Sequence, residues 1–170
     1  ANNRISRTLE SGIYLAAGSY SNSDGCVNFK VSNNNVNGTL NNGLLSIGGS
    51  KCSFVGNTVI GCANSGVMQW HGLDHSYISN TIINCNRVQH NGVGNLGDAW
   101  ASVNVAGSSN IRAGGTYIAL VHNNTICDCN QGRGAAVYGI RLGSDTALSY
   151  PAEAAKASVD GNHIDAATRV

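Results

Sequence analysis

The sequence predicts an all-β chain of many short strands, and three observations carry that prediction. The 170 residues include 22 Gly, 23 Asn and a single Pro, Pro151, and Asn and Gly fit left-handed turn positions better than helices or strand interiors. The one short helical candidate is Ala152 to Lys156, and no long segment has helical periodicity with a charged face. Finally, one six-residue phrase recurs along the chain.

The phrase is an apolar residue, any residue, then Asn, Gly or Ser, then Asn, any residue, and Val or Ile. It is met at Val31 to Val36, Phe54 to Val59, Tyr77 to Ile82, Val121 to Ile126 and Val159 to Ile164, with a truncated copy at Asn2 to Ile5. Taking the second Asn as anchor puts the copies at 3, 34, 57, 80, 124 and 162, which gives spacings of 31, 23, 23, 44 and 38 residues. A two-residue corner between apolar positions implies one strand entering and one leaving.

Other positions keep phase with that anchor. Three residues before it stand Val31, Phe54, Tyr77, Val121 and Val159, and five before it Phe29, Cys52, His75, Ala119 and Ala157, the period of two expected of one strand face. Five after it come Thr8, Thr39, Cys62, Cys85 and Cys129, all compact. Nine after it, Gly12, Gly43 and Gly66 each precede an aliphatic residue that opens a further strand. Each unit therefore holds about three short strands.

This pattern resembles the right-handed parallel β-helix of the pectate-lyase-like superfamily, including phage tailspikes, in which an Asn ladder lines a two-residue corner. The resemblance implies that Asn3, Asn34, Asn57, Asn80, Asn124 and Asn162 form the ladder. Six anchors make a stack about 25 Å tall. Residues 1–170 then read as one β-helix domain of five to six rungs, with loop insertions near 91–116 and 143–156. Exposed strand edges at both ends imply a piece of a longer protein. The resemblance further implies a homotrimer and an extracellular or virion-tail location.

Composition narrows the partners. Ten Lys+Arg against nine Asp+Glu, a net charge of +1 and no basic run argue against nucleic acid. No apolar run reaches the ~20 residues of a membrane helix, and the N-terminus has no signal-peptide pattern. Of the six cysteines, Cys62, Cys85 and Cys129 share a phase and read as small buried hydrophobes. Cys127 and Cys129 lack the spacing of a zinc pair, and no cofactor or metal site is expected.

Chemistry is expected where the units lengthen: around Trp70, His71 and Asp74, around Asp98 and Trp100, and around Arg141 and Asp145. Both tryptophans lie there, and an exposed indole offers a flat apolar face to a sugar ring. Trp70, Trp100 and Arg141 are the candidate substrate-binding residues. Glycoside hydrolysis uses two carboxylates, ~5 Å apart for retention and ~6.5–9.5 Å for inversion. Of the nine acids, Asp160, Asp165, Glu153 and Asp128 are discounted by position, which leaves Asp74, Asp98 and Asp145, with Glu10 and Asp24 further off. Asp74 and Asp98 are the preferred acid and base. A lyase would instead use His71 as base and Arg141 to neutralise the carboxylate, whereas His75 occupies an inward phase and is expected to be structural. The expected function is binding and cleavage of a bacterial surface polysaccharide; the alternatives are a non-catalytic spacer or adhesin segment and a polysaccharide lyase.

Overall fold

A computed structural model describes residues 1–16, 26–70, 72, 74–85, 101–107, 119–127, 138–144 and 157–165. Among them run sixteen strands, numbered in chain order, in three parallel sheets. Sheet I contains β1 (Arg4–Ser6), β4 (Asn35–Asn37), β7 (Thr58–Ile60), β10 (Thr81–Ile83), β13 (Thr125–Cys127) and β16 (His163–Asp165). Sheet II contains β2 (Ile13–Ala16), β5 (Leu44–Ile47), β8 (Val67–Trp70), β11 (Ala101–Gly107) and β14 (Tyr138–Ser144). Sheet III contains β3 (Lys30–Ser32), β6 (Ser53–Val55), β9 (His75–Ile78), β12 (Ala119–His122) and β15 (Ala157–Asp160). The chain visits I, II and III in turn and repeats, which is a parallel β-helix.

Register follows the repeat. Ile5, Val36, Val59, Ile82, Ile126 and Ile164 pair strand to strand along sheet I, and Leu44, Val67, Val103 and Ile140 do so along sheet II. Apart from the exposed Ile164, their side chains fill the solenoid interior with those of sheet III, where Phe54 and Tyr77 stack with ring centroids 4.9 Å apart. Val59, Ile82 and Val103 are fully buried, and each such side chain contributes about 1.5–3 kcal/mol.

The corner from III to I is always two residues, an anchor Asn and the residue before it. That preceding residue is left-handed in every rung: Asn2, Asn33, Gly56, Ser79, Asn123 and Gly161, with φ between 53° and 64°. Each anchor donates its backbone N–H to the Oδ1 of the next, at 2.9–3.0 Å from Asn3 through Asn34, Asn57, Asn80 and Asn124 to Asn162. The side-chain amides repeat the step, Nδ2 to Oδ1. From Asn57 onward, Nδ2 also reaches a sheet III carbonyl: Val31, Phe54, Tyr77 and Val121 in turn. The buried middle of the column, Asn57, Asn80 and Asn124, uses both Nδ2 hydrogens and accepts twice at Oδ1, which is a strong constraint on rung register.

The glycines nine residues after the anchors are there for space. A Cβ on Gly12, Gly43 or Gly66 would overlap Val36, Val59 or Ile82 of the following rung. Two features differ from the sequence reading. Residues 101–107, placed inside the 91–116 insertion, form β11, because Val103 and Val105 alternate inward like Val67 and Gln69 beside them. A second amide column at the I to II corner joins Glu10, Asn41 and Asn64, with Asn41 Nδ2 donating to Glu10 Oε2 at 3.0 Å and Asn64 Nδ2 to Asn41 Oδ1 at 2.8 Å. All three stand seven residues after an anchor, so the signal was present in the sequence. The helical candidate at residues 152–156 lies outside the described residues.

Candidate functional site at the margins of sheet II

Connection lengths set sheet II apart. The III to I corner carries no insertion in any rung, while the longest connections, 17–29, 84–100, 108–118, 128–137 and 145–156, all begin or end at a sheet II strand. A rigid parallel sheet flanked by variable segments is where a solenoid can vary chemistry without disturbing its core.

The outer side of sheet II is also distinct. Leu45 and Met68 alternate with the interior Leu44 and Val67, and with Ile47 they form a second apolar cluster, each under 9% exposed. Asn104, next along the same register column after Leu45 and Met68, is fully buried. Arg141 continues that column in β14, and Trp70 occupies the neighbouring column with Ile47 and Ala106.

Asp74 follows β8 on the edge where strands of sheet II lead into sheet III. It is half-buried with φ 54°. Asn28 and Lys51, also six residues before an anchor, have φ 60° and 56°, so Asp74 is the third member of a left-handed turn column. Such a position tolerates Asp well and strains Lys. In sequence, Asp145 follows Ser144, the last residue of β14, and Asp98 and Trp100 precede Ala101, the first of β11. His71, Asp98, Trp100 and Asp145 lie outside the described residues, and of Trp70 and Arg141 only the backbone positions are described.

Beneath that edge, inside the solenoid, lies a polar cluster that sequence reasoning did not assemble. His75 is fully buried; its Nδ1 accepts the Cys52 N–H at 3.1 Å, which places the proton on Nε2, 3.1 Å from the Gly48 carbonyl and 3.2 Å from Ser46 Oγ. Burial lowers the imidazole pKa from its ordinary value, opposed by the Gly48 carbonyl and the nearby Asp74 carboxylate. Gln69 points Nε2 at the Gly72 carbonyl at 3.5 Å. Burial also holds Tyr77 well above its ordinary value and raises the Cys52 thiol, whose Sγ donates to the Cys26 carbonyl at 3.3 Å. Ser46 and Gln69 share an inward register column with Leu15 and Val105, and that polar break in an apolar column was the available signal.

The cysteine column packs as core. Cys62 and Cys85 are fully buried, and Cys85 is raised well above its ordinary value by its hydrogen bond to Cys62 and then by burial, which leaves it an unreactive thiol. Cys129 lies outside the described residues. Among the described residues no group of three or more His, Cys, Asp or Glu side chains is placed to hold a metal ion. No family model, curated protein or solved structure matches this chain.

Proposed function

We propose that this chain is a carbohydrate-active β-helix that binds a bacterial surface polysaccharide across the outer side of sheet II and cleaves it by two-carboxylate glycoside hydrolysis. The observation that carries the reading is the one-sided distribution of connections: every long one borders sheet II. All seven candidate residues, Trp70, His71, Asp74, Asp98, Trp100, Arg141 and Asp145, lie in sheet II strands or within four residues of their ends.

In this reading Trp70 and Trp100 supply apolar faces to successive sugar rings, and Arg141 binds an acidic or hydroxyl group. Asp74 is one member of the carboxylate pair. Asp98 or Asp145, both outside the described residues, is the other. One carboxyl protonates the departing glycosidic oxygen while the other takes a proton from the attacking water.

A second reading, a non-catalytic spacer or adhesin segment, is favoured by the turn column, because left-handed geometry alone accounts for Asp74 beside Asn28 and Lys51. The chain is to be incubated with a panel of capsule and O-antigen polysaccharides, following reducing ends and the near-ultraviolet absorbance of unsaturated uronates. New reducing ends without absorbance are expected. Absorbance would replace hydrolysis by elimination with His71 as base, and no shortening of any polysaccharide would leave the spacer or adhesin.

A further inference from the structure

The outer side of sheet III carries a nucleophile beside a base. In β12 and β15 the side chains of Ala119, Val121 and Ala157 belong to the solenoid interior, so Leu120, His122, Ser158 and Asp160, which alternate with them, face outward. His122 Nε2 and Ser158 Oγ lie 2.9 Å apart, and both residues are half-buried. That separation is within the ~2.6–3.2 Å expected of a nucleophile and its general base. With the imidazole proton on Nδ1, the Ser158 hydroxyl donates to Nε2. Asp160 is exposed and is the register partner of His122, one strand spacing of ~4.8 Å away on the same side. On the other side of His122 stands half-buried Ile78, and beside Ser158 stands half-buried Leu120. Ser53 and Ser76 share the column of Ser158, but the position that His122 takes beside Ser158 is Ser32 beside Ser53 and Val55 beside Ser76. One serine of the column therefore meets an imidazole, and that imidazole has a carboxylate residue next to it.

We infer that Ser158 and His122 form a second, nucleophilic site, which hydrolyses short acyl esters such as an acetylated sugar hydroxyl. Ser158 Oγ attacks the carbonyl carbon while His122 Nε2 takes its proton, and the ester C–O bond then breaks as the departing alcohol oxygen receives that proton. Water, losing a proton to His122, attacks the acetyl-Ser158 and releases acetic acid as the proton returns to Ser158 Oγ. One ester and one water become one alcohol and one carboxylic acid. Asp160 is a positioning residue whose negative charge favours the imidazolium formed in each half-reaction. The aliphatic floor of Leu120 and Ile78 is small and bordered by Ser76, which suits an acetyl group rather than a long acyl chain. The site uses none of the residues assigned to polysaccharide cleavage, so either activity can fail without the other.

The 170-residue chain is to be treated with diisopropyl fluorophosphate, whose phosphorus bonds to a serine Oγ as fluoride departs, and the labelled peptide located by mass spectrometry. Hydrolysis of 4-nitrophenyl acetate and 4-nitrophenyl octanoate is followed in parallel. The expected result is labelling at Ser158 and faster cleavage of the acetate, with Ser158→Ala and His122→Gln each slowing that cleavage at least about tenfold at an unchanged urea midpoint. Asp160→Asn should slow it as well and Asp160→Glu restore it, a pattern that a merely structural side chain would not give. No label, a label on another residue, equal acetate cleavage by Ser158→Ala and the unaltered chain, or a preference for octanoate would each overturn the inference.

Discussion

Asn80→Ala removes a fully bonded side chain from the middle of the amide column. Its Oδ1 accepts the Asn57 N–H and Nδ2, each at 3.0 Å, and its Nδ2 donates to the Phe54 carbonyl and to Asn124 Oδ1, also at 3.0 Å. All these groups are buried. Truncation leaves the Asn57 N–H and the Phe54 carbonyl without these partners and without water to replace them; at about 1–3 kcal/mol for each orphaned group, the expected loss is roughly 3–5 kcal/mol. Asn162→Ala, in the last rung beside solvent, should lose only about 1 kcal/mol, because water replaces what the side chain supplied. Asn80→Asp keeps the volume and one oxygen but turns a carboxylate oxygen toward two acceptors, so it should destabilise as severely as alanine. Urea unfolding followed by far-ultraviolet circular dichroism measures all three, the slope being compared between variants to verify that the same cooperative unit unfolds. The reasoning fails if Asn80→Ala costs less than about 1 kcal/mol, or if Asn80→Asp is tolerated.

Four further outcomes are expected. Gly66→Ala should destabilise by about 1–3 kcal/mol in the same urea measurement, because its methyl would overlap Ile82 and lie 3.2 Å from Cys85 Sγ. Lys51→Gly, at φ 56° on the surface, should raise stability by about 0.5–1 kcal/mol by relieving left-handed strain, net of glycine's greater freedom when unfolded. His75 has a folded pKa below its unfolded value near 6.5, so the unfolded chain takes up the proton more readily; stability should hold above that value and fall as pH drops below it, with the His75 ring remaining neutral by NMR where an exposed imidazole has titrated. Asp74→Asn keeps the turn, since Asn28 holds the same conformation, and should leave the urea midpoint unchanged while lowering any polysaccharide cleavage by about 10²–10⁴-fold. Full turnover in that variant would remove Asp74 from the chemistry.

The ladder and the interior columns were legible because a two-residue corner allows no slack: each anchor fixes the phase of the residues three to five positions either side. Phase is lost where connections vary. β11 was hidden inside the 91–116 segment because its anchor, Asn80, lies more than twenty residues upstream. The left-handed column of Asn28, Lys51 and Asp74 was obscured by Lys51, which turn preferences would not place there. The buried state of Leu45, Met68 and Asn104 opposite the solenoid interior escaped because a period of two shows which residues share a face, and not whether that face meets water.

The invariant corner works like the clasp of a bracelet whose other links differ in size. Seventeen residues between β10 and β11, or six between β7 and β8, deliver the chain to the same next Asn. A misplacement made in crossing sheet II is thus corrected within one turn and is not inherited by the next rung. Such a scaffold should accept foreign segments at its other two corners far more readily than one extra residue at this one.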